Sequence, residues 1–260
     1  MIRYFISDLH LSDKRPDLIR AFIQMSKELI SRDENAELFI LGDFYEAWIG
    51  DDYQADCNTQ IENALADISR SGIALYFLHG NRDFLIGSDW INRVGAKLIQ
   101  EQTILPLESC TVLLTHGDEY CIEDTEYQAF RKTVRSSAWQ EHILAMPLEQ
   151  RISLAAQLRN DSKSMATEKS MAIMDVTPSA VEDSLSQHNC KSVIHGHTHR
   201  PDVHKGDRNL RCVLGDWDTF VWLASIKDGI YSQSKSLVKD FNQNGLAGLQ
   251  EVHRKTLLIC

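Results

Sequence analysis

"VIHGHTHRP", residues 193–201, is an apolar run that passes directly into three histidines on alternate positions, His195, His197 and His199. Residues two apart point to one side of an extended chain, so the stretch reads as a buried strand that delivers imidazoles at its carboxyl end. The same pattern recurs along the chain. "IRYFIS" (2–7) runs into "SDLH", "ELFIL" (37–41) into "GDFYEAW", "ALYFL" (74–78) into "HGNRDF", and "CTVLLT" (110–115) into "HGDEY". Both faces of these runs are apolar, as in strands covered on two sides. Helical patterns lie between them. "RPDLIRAFIQMSKELISR" carries Leu18, Ile19, Phe22, Ile23, Leu29 and Ile30 at helix spacing, and "CNTQIENALADISRSG" stops at Gly72, a C-cap. Strand, loop, helix, strand predicts an α/β sandwich.

At 260 residues, 43% hydrophobic and 25% charged, the chain has the composition of a globular protein and the length of one large or two small domains. Its net charge of −10 opposes the phosphate attraction on which general nucleic-acid binders rely, so no nucleic-acid partner is expected. Six cysteines (57, 110, 121, 190, 212 and 260) are scattered without a CxxC, and "MIRYFISDLH" has no signal-peptide pattern. Reduced thiols in a cytoplasmic protein are expected. No apolar stretch approaches the roughly 20 residues that span a bilayer, which restricts any membrane contact to the surface.

From about 118 to 177 the rhythm changes to consecutive helices: "TEYQAFRKTVRSSAWQEHILA", "PLEQRISLAAQLRNDSKS" and "ATEKSMAIMDV". We read this stretch as a helical insertion over the strand ends. In it Tyr127, Phe130, Val134 and Ala138 form an apolar stripe flanked by Arg131, Lys132 and Arg135. Thr177 as N-cap and Pro178 at the first helical position restart the α/β rhythm. The expected division is a domain over 1–230 that includes the insertion, followed by a tail, 231–260, without an assigned role.

The residues at the strand ends are of metal-ligand type: Asp8 and His10, Asp43, Asn81, His116, and His197 with His199. Ligands of α/β sheets collect outside the carboxyl ends of the strands, so these segments describe one site. Carboxylate, imidazole and amide without thiolate suit hard to borderline divalent ions such as Mn²⁺. Seven donors are too many for one tetrahedral ion and fit two ions sharing a carboxylate. Such pairs lie roughly 3.5–4 Å apart in phosphatases and nucleases, which points to hydrolysis of a phosphate ester or anhydride.

The ordered set DxH, GDxxE, GNR, HGD and GHTH resembles the calcineurin-like metallophosphoesterase family. The resemblance implies a four-layer α/β/β/α sandwich with a two-metal site. Asp8, His10, Asp43 and His199 would hold the first ion, Asp43 would bridge, and Asn81, His116 and His197 would complete the second. Many phosphomonoesterase relatives have GNH where this chain has "GNRD". A phosphate leaving group needs no proton, so the fixed cation of Arg82 favours pyrophosphate over monoester cleavage.

"GDFYEAWIGDD", "CIEDTEYQAFR", "RNDSKS" and "KSMAIMDVTPSAV" further resemble the UDP-2,3-diacylglucosamine pyrophosphatase family of the lipid A pathway, over most of residues 1–225. That resemblance implies Mn²⁺-dependent attack of water on the α-phosphorus, giving UMP and 2,3-diacylglucosamine 1-phosphate. Asp43, Asn81, Arg82 and His116 would be catalytic. Asn81, Arg82, Asp124, Ser162, Lys169 and His197 would contact the substrate, while an asparagine of the family falls on Ala166 here. On pattern alone the Tyr127 stripe is core packing; the resemblance makes it a groove for acyl chains, with its cations on an anionic membrane surface. It implies a cytoplasmic enzyme peripheral to the inner membrane, and no protein partner is inferred.

Other residues read more plainly. Asp51 and Asp52 suit a solvated loop, His79 a satisfied core histidine, and His142, His188, His204 and His253 the surface. Glu46 and His195 read as supports of the site and not ligands. Two other functions stay open: a metallophosphoesterase acting on another nucleotide diphosphate or phosphodiester, and a non-catalytic scaffold on the same fold.

Overall fold

The structure, a computed structural model, describes residues 1–32, 34–168, 175–207 and 209–257, and the side chains among them other than those of 161–168. Its first part alternates β1 (Ile2–Ile6), α1 (Pro16–Ser31), β2 (Ala36–Leu41), α2 (Asp56–Arg70), β3 (Ala74–Leu78), α3 (Ser88–Val94) and β4 (Ala96–Leu98). β5 (Thr103–Pro106) and β6 (Thr111–Leu114) precede the insertion helices α4 (Thr125–Val134), α5 (Ser137–Leu144) and α6 (Leu148–Glu168). Then follow α7 (Pro178–Gln187), β7 (Ser192–His195), β8 (Asp202–Lys205), β9 (Leu210–Val213), β10 (Phe220–Lys227), β11 (Ile230–Leu237), α8 (Val238–Asn244) and β12 (Gln250–Thr256).

The strands form a seven-stranded sheet, β12-β11-β10-β1-β2-β3-β4, and a five-stranded one, β5-β6-β7-β9-β8. Alternate side chains along each strand serve different layers, the consequence of a two-residue period. Tyr4, Ile6, Leu38 and Ile40 pack outward with residues of α1, α2 and α3, among them Phe22, Leu65 and Trp90. Phe5, Phe39, Leu41 and Leu78 face the other way and meet Val112, Leu114, Ile194 and Cys212 of the second sheet. The outer face of that sheet, Leu113 and Val193, packs on Val181 and Leu185 of α7. This is the α/β/β/α sandwich expected from the motifs.

Helix α1 shows how local sequence feeds this packing. Pro16 opens it with its fixed φ, and Leu18, Ile19, Phe22, Met25 and Leu29 fall on one buried face. Phe22 meets Phe44 edge-on at 5.0 Å. Each such side chain, fully buried, contributes about 1.5–3 kcal/mol. α2 stops where Gly72 takes φ +96, a conformation that favours glycine.

Three features differ from the sequence reading or complete it. The stretch 125–145 is two helices, because Ser136 turns extended (ψ 140) and its hydroxyl accepts the Trp139 amide to start α5. Thr177 sits at the N-cap of α7 without capping it; its hydroxyl is buried and unpartnered, so Pro178 carries the start. The segment after 230, which had no assigned role, pairs into the first sheet: β11 runs antiparallel between β10 and β12, and Phe241 of α8 is buried against the α1 layer. Cys57, Cys110, Cys121, Cys190 and Cys212 are buried. No described helix is long and apolar enough to cross a membrane.

Candidate metal centre

Register brings the motif residues together. β1 pairs in parallel with β2 through Ile6 and Ile40, β2 with β3 through Leu41 and Leu78, and β6 with β7 through Leu114 and Ile194. The strands therefore end flush, and the residues just past them meet: Asp8, Asp43 and Asn81 from one sheet, His116 and His197 from the other. Loops this close leave no room for side chains at the crossings. A Cβ on Gly80 would collide with the Asp43 amide and carboxylate, and one on Gly196 with the Asp8 carboxylate and Ser7.

Five of the seven expected ligands have left-handed backbones: Asp8 (φ 56), His10 (φ 49), Asp43 (φ 51), His197 (φ 68) and His199 (φ 54). Each such residue costs of order 1 kcal/mol, and the conformation persists because packing over-determines it. The strained turns point the side chains inward. His10 Nε2 and His199 Nε2 lie 3.2 Å apart, with Asp8 Oδ1 3.4 Å from His199 Nε2. Asp8, Asp43 and His116 form a second close group that shares Asp8 with the first. Beside it, Asn81 Oδ1 lies 3.0 Å from His116 Nε2 and 2.9 Å from His197 Nδ1.

These donors fit metal ions. His116 Nδ1 donates to the Leu41 carbonyl at 2.8 Å, so the lone pair of the neutral ring is on Nε2, facing the Asn81 oxygen. Lone pairs directed at one another are what a cation between them satisfies. Asp8 Oδ1 and His10 Nδ1 are buried without a hydrogen-bond partner. The charge balance agrees. Burial opposes ionisation of Asp8, yet the close approach of His199 and the charges of His116 and His199 hold its carboxyl well below the usual range. Burial likewise opposes a charge on His116, but Asp43, Asp8 and Asp118 outweigh it and lift its pKa to about 9. The site thus demands positive charge. Burial, and then the charge of His116, push His197 down to about 4.

Around the cluster, Arg82 donates its amide to Asp43 Oδ1 at 2.8 Å and holds Nε 3.2 Å from Oδ2. Glu46 faces His10 Nδ1 at 3.7 Å and Arg82 at 3.5 Å and pairs with Arg159 of α6, a supporting place as expected. His195 is fully buried with Nδ1 2.9 Å from the Gly196 carbonyl, and His79 lies 2.8 Å from the Ile86 carbonyl; burial first keeps both uncharged, near 3 and 4. His142 and His204 are exposed.

Three carboxylates without a role in the sequence reading, Asp83, Asp118 and Asp216, support the site. Asp83, fully buried, accepts the amides of Phe44 (2.7 Å) and Gly80 (2.8 Å) and so ties the second motif to the third. Asp118 receives the Tyr127 hydroxyl (2.6 Å) and Arg131 Nε (2.8 Å). Asp216 lies 3.5 Å from His199 Nδ1. Asp51 is no solvated loop residue: it accepts the Gly87 and Trp90 amides and the Trp48 indole, fastening the start of α3. Asp52 pairs with the buried Arg151 of α6. The aspartates at 83 and 118 lie inside GNRD and HGD, which is the signal that marked them.

The insertion also differs from its amphipathic reading. Arg131 and Arg135 are not free flanking cations: Arg131 pairs with Asp118 and Glu101, and Arg135 donates to the Gly80 carbonyl at 2.9 Å. The stripe divides. Val134 is buried, Tyr127 stacks near His197 (ring centroids 6.0 Å apart), and Phe130 is exposed. Asp124 caps α4 by accepting the Tyr127 amide at 3.0 Å. The side chain of Ser162, that of Ala166 and the whole of Lys169 lie outside the described residues.

Two face-to-face sheets between helices, with carboxylates and imidazoles clustered at flush strand ends, are the architecture of a metallophosphoesterase, and the calcineurin-like phosphoesterase family matches residues 3–201. Among curated proteins, the UDP-2,3-diacylglucosamine hydrolase of Chromohalobacter salexigens is 47% identical over 223 residues, covering 84% of this chain and 89% of that protein. The UDP-2,3-diacylglucosamine hydrolase of Marinobacter nauticus is 44% identical over 226 residues, covering 85% and 92%. The chain belongs to the family of these hydrolases, within the calcineurin-like phosphoesterases. Vacuolar protein sorting 29 of Cryptosporidium parvum shares the fold at 12% identity, with a TM-score of 0.50 over 98% of this chain and 97% of that one. Family and donor geometry together support a pair of divalent ions.

Proposed function

We propose that the chain hydrolyses the pyrophosphate of UDP-2,3-diacylglucosamine, water attacking the α-phosphorus to give UMP and 2,3-diacylglucosamine 1-phosphate. The observation that carries the reading is the convergence of Asp8, His10, Asp43, Asn81, His116, His197 and His199 at flush strand ends. The names of the relatives supply the substrate. A bound divalent pair, Mn²⁺ by donor type, would lower the pKa of a water and clamp phosphate oxygens. Asp8, His10, Asp43 and His199 would hold one ion and Asn81, His116 and His197 the other, with Asp43 between them.

The chain's own residues do the rest. The Arg82 guanidinium stabilises charge on the departing phosphate, which leaves without needing a proton. Asn81 and His197 orient the phosphate, and His116 keeps one tautomer through the Leu41 carbonyl. The insertion, with Asp124, Ser162 and Lys169, receives the sugar, uridine and acyl portions. Exposed Phe130 and Lys132 on α4 suit transient contact with the cytoplasmic face of the inner membrane, where a diacylated substrate resides. We take residues 1–230 as the catalytic domain, with the segment that follows bracing its sheet.

The test is incubation with Mn²⁺ and UDP-2,3-diacylglucosamine, with and without chelator, in ¹⁸O water. UMP carrying the label is expected, and only without chelator. Equal hydrolysis of a UDP-sugar lacking acyl chains would favour a metallophosphoesterase of other nucleotide diphosphates. No Mn²⁺ bound above background would favour the scaffold.

A further inference from the structure

The loop after β9 belongs to no motif of the site, yet it crosses behind it. Leu214 donates its amide to the His195 carbonyl at 2.7 Å, and Trp217 donates its own to the Asp8 carbonyl at 2.9 Å. The Trp217 indole, buried, donates to the Trp222 carbonyl at 2.8 Å. The loop is thereby anchored to the strand that delivers the histidines and to the first aspartate. Between these anchors Asp216 directs Oδ2 at His199 Nδ1, 3.5 Å away. The other nitrogen of that ring, Nε2, faces Asp8 Oδ1 at 3.4 Å and His10 Nε2 at 3.2 Å.

The two nitrogens of His199 thus look opposite ways. A histidine that offers Nε2 to a cation carries its proton on Nδ1, and an acceptor behind the ring fixes both tautomer and orientation. For His116 that acceptor is a backbone carbonyl. His199 sits on a left-handed turn with its side chain 38% exposed, so burial does not hold its ring. The remaining acceptor is a carboxylate. We propose that Asp216 is a positioning residue: it orients His199 from behind, so that the half-site of Asp8, His10 and His199 is pre-formed for its ion while the half-site of Asn81, His116 and His197 does not depend on it.

This inference rests on the proposed two-ion site, and its test separates the two. Mn²⁺ binding to the purified chain is titrated for wild type, Asp216→Ala, Asp216→Asn, His199→Ala and the Asp216→Ala/His199→Ala double variant, with circular dichroism to check folding. Wild type should bind two ions. Asp216→Ala should keep one at wild-type affinity and bind the other roughly 10- to 100-fold more weakly. Asp216→Asn, whose amide oxygen still accepts from Nδ1–H, should recover part of the loss. The double variant should match His199→Ala alone, because Asp216 acts through that ring. Wild-type affinity for both ions in Asp216→Ala, equal weakening of both, or a loss that adds in full to that of His199→Ala would overturn the inference. A wild type that binds no ion would overturn the two-ion reading itself, and this inference with it.

Discussion

Arg82 holds Asp43 by two separate contacts: its backbone amide donates to one carboxylate oxygen at 2.8 Å, and its guanidinium Nε stands 3.2 Å from the other. The first contact survives any substitution of the side chain except proline. Arg82→Ala should therefore keep Asp43 in place and Mn²⁺ bound, while turnover of the diacylated substrate falls by about 10²–10³, the usual effect of losing one preorganised charge stabiliser. Steady-state kinetics beside a metal titration check both halves. Unchanged turnover would mean that the guanidinium serves only Asp43 and Glu46.

Asp83 joins the second and third motifs through two buried amides, Phe44 and Gly80. Removing its carboxylate leaves both donors unpaired, at about 1–3 kcal/mol each. Asp83→Ala should lower unfolding stability by about 3 kcal/mol or more, read from urea denaturation, and should weaken Mn²⁺ binding because Asp43 and Asn81 adjoin those amides. A stability loss below about 1 kcal/mol would show that the two loops are held by other contacts.

Glu119 sets a pH dependence. Burial first, and then the charges of Asp118 and Glu101, raise its pKa from 4.5 to about 7. Between those values the folded chain keeps a proton that the unfolded chain has released, so this group stabilises the fold at acid pH and loses that contribution as pH rises toward 7. Glu119→Gln abolishes the titration. The stability of the variant relative to wild type should rise from pH 4.5 to 7 by up to roughly 3 kcal/mol, at 1.36 kcal/mol per pKa unit, and stay level above. Parallel denaturation profiles across this window would contradict a protonated, half-buried carboxyl.

The left-handed backbone of Asp8 offers a test of strain. Asp8→Ala and Asp8→Gly lose the same carboxylate and the same bond to the His197 amide, but only glycine relaxes at φ 56. The glycine variant should be the more stable by about 1 kcal/mol in chemical denaturation. Equal stability would locate the strain elsewhere.

Much of this was legible in the sequence, for a physical reason. Strands β1, β2, β3, β6 and β7 are covered on both faces, so nearly every side chain in them is apolar, and short runs such as "ALYFL" stand out. β11 hid itself. Its residues, "IYSQSKSL", alternate between buried and partly exposed, and the buried set includes Gln233 and Ser236, so no apolar period marks the strand. A stronger sign was available in Asp228–Gly229, whose left-handed pair (φ 51 and 72) makes the hairpin turn between β10 and β11. The arginines of α4 misled for a different cause. Spacing places Arg131 and Arg135 on a helix face, but their partners, Glu101, Asp118 and Gly80, come from other segments and pull them inward.

The amino-acid sequence by itself determined the α/β alternation, the order of the five motifs and the carboxylate, imidazole and amide residues at the strand ends, because those follow from local apolar period and residue type. Only the tertiary structure decided that Asp8 is common to both close groups, that five of the seven candidate donors sit on left-handed turns, and that Asp83 and Asp216 stand behind the site. Asp8 and His197 are 189 positions apart and joined by a 2.9 Å hydrogen bond. Strain, tautomer and charge arise from such contacts between distant segments, and no local pattern encodes them.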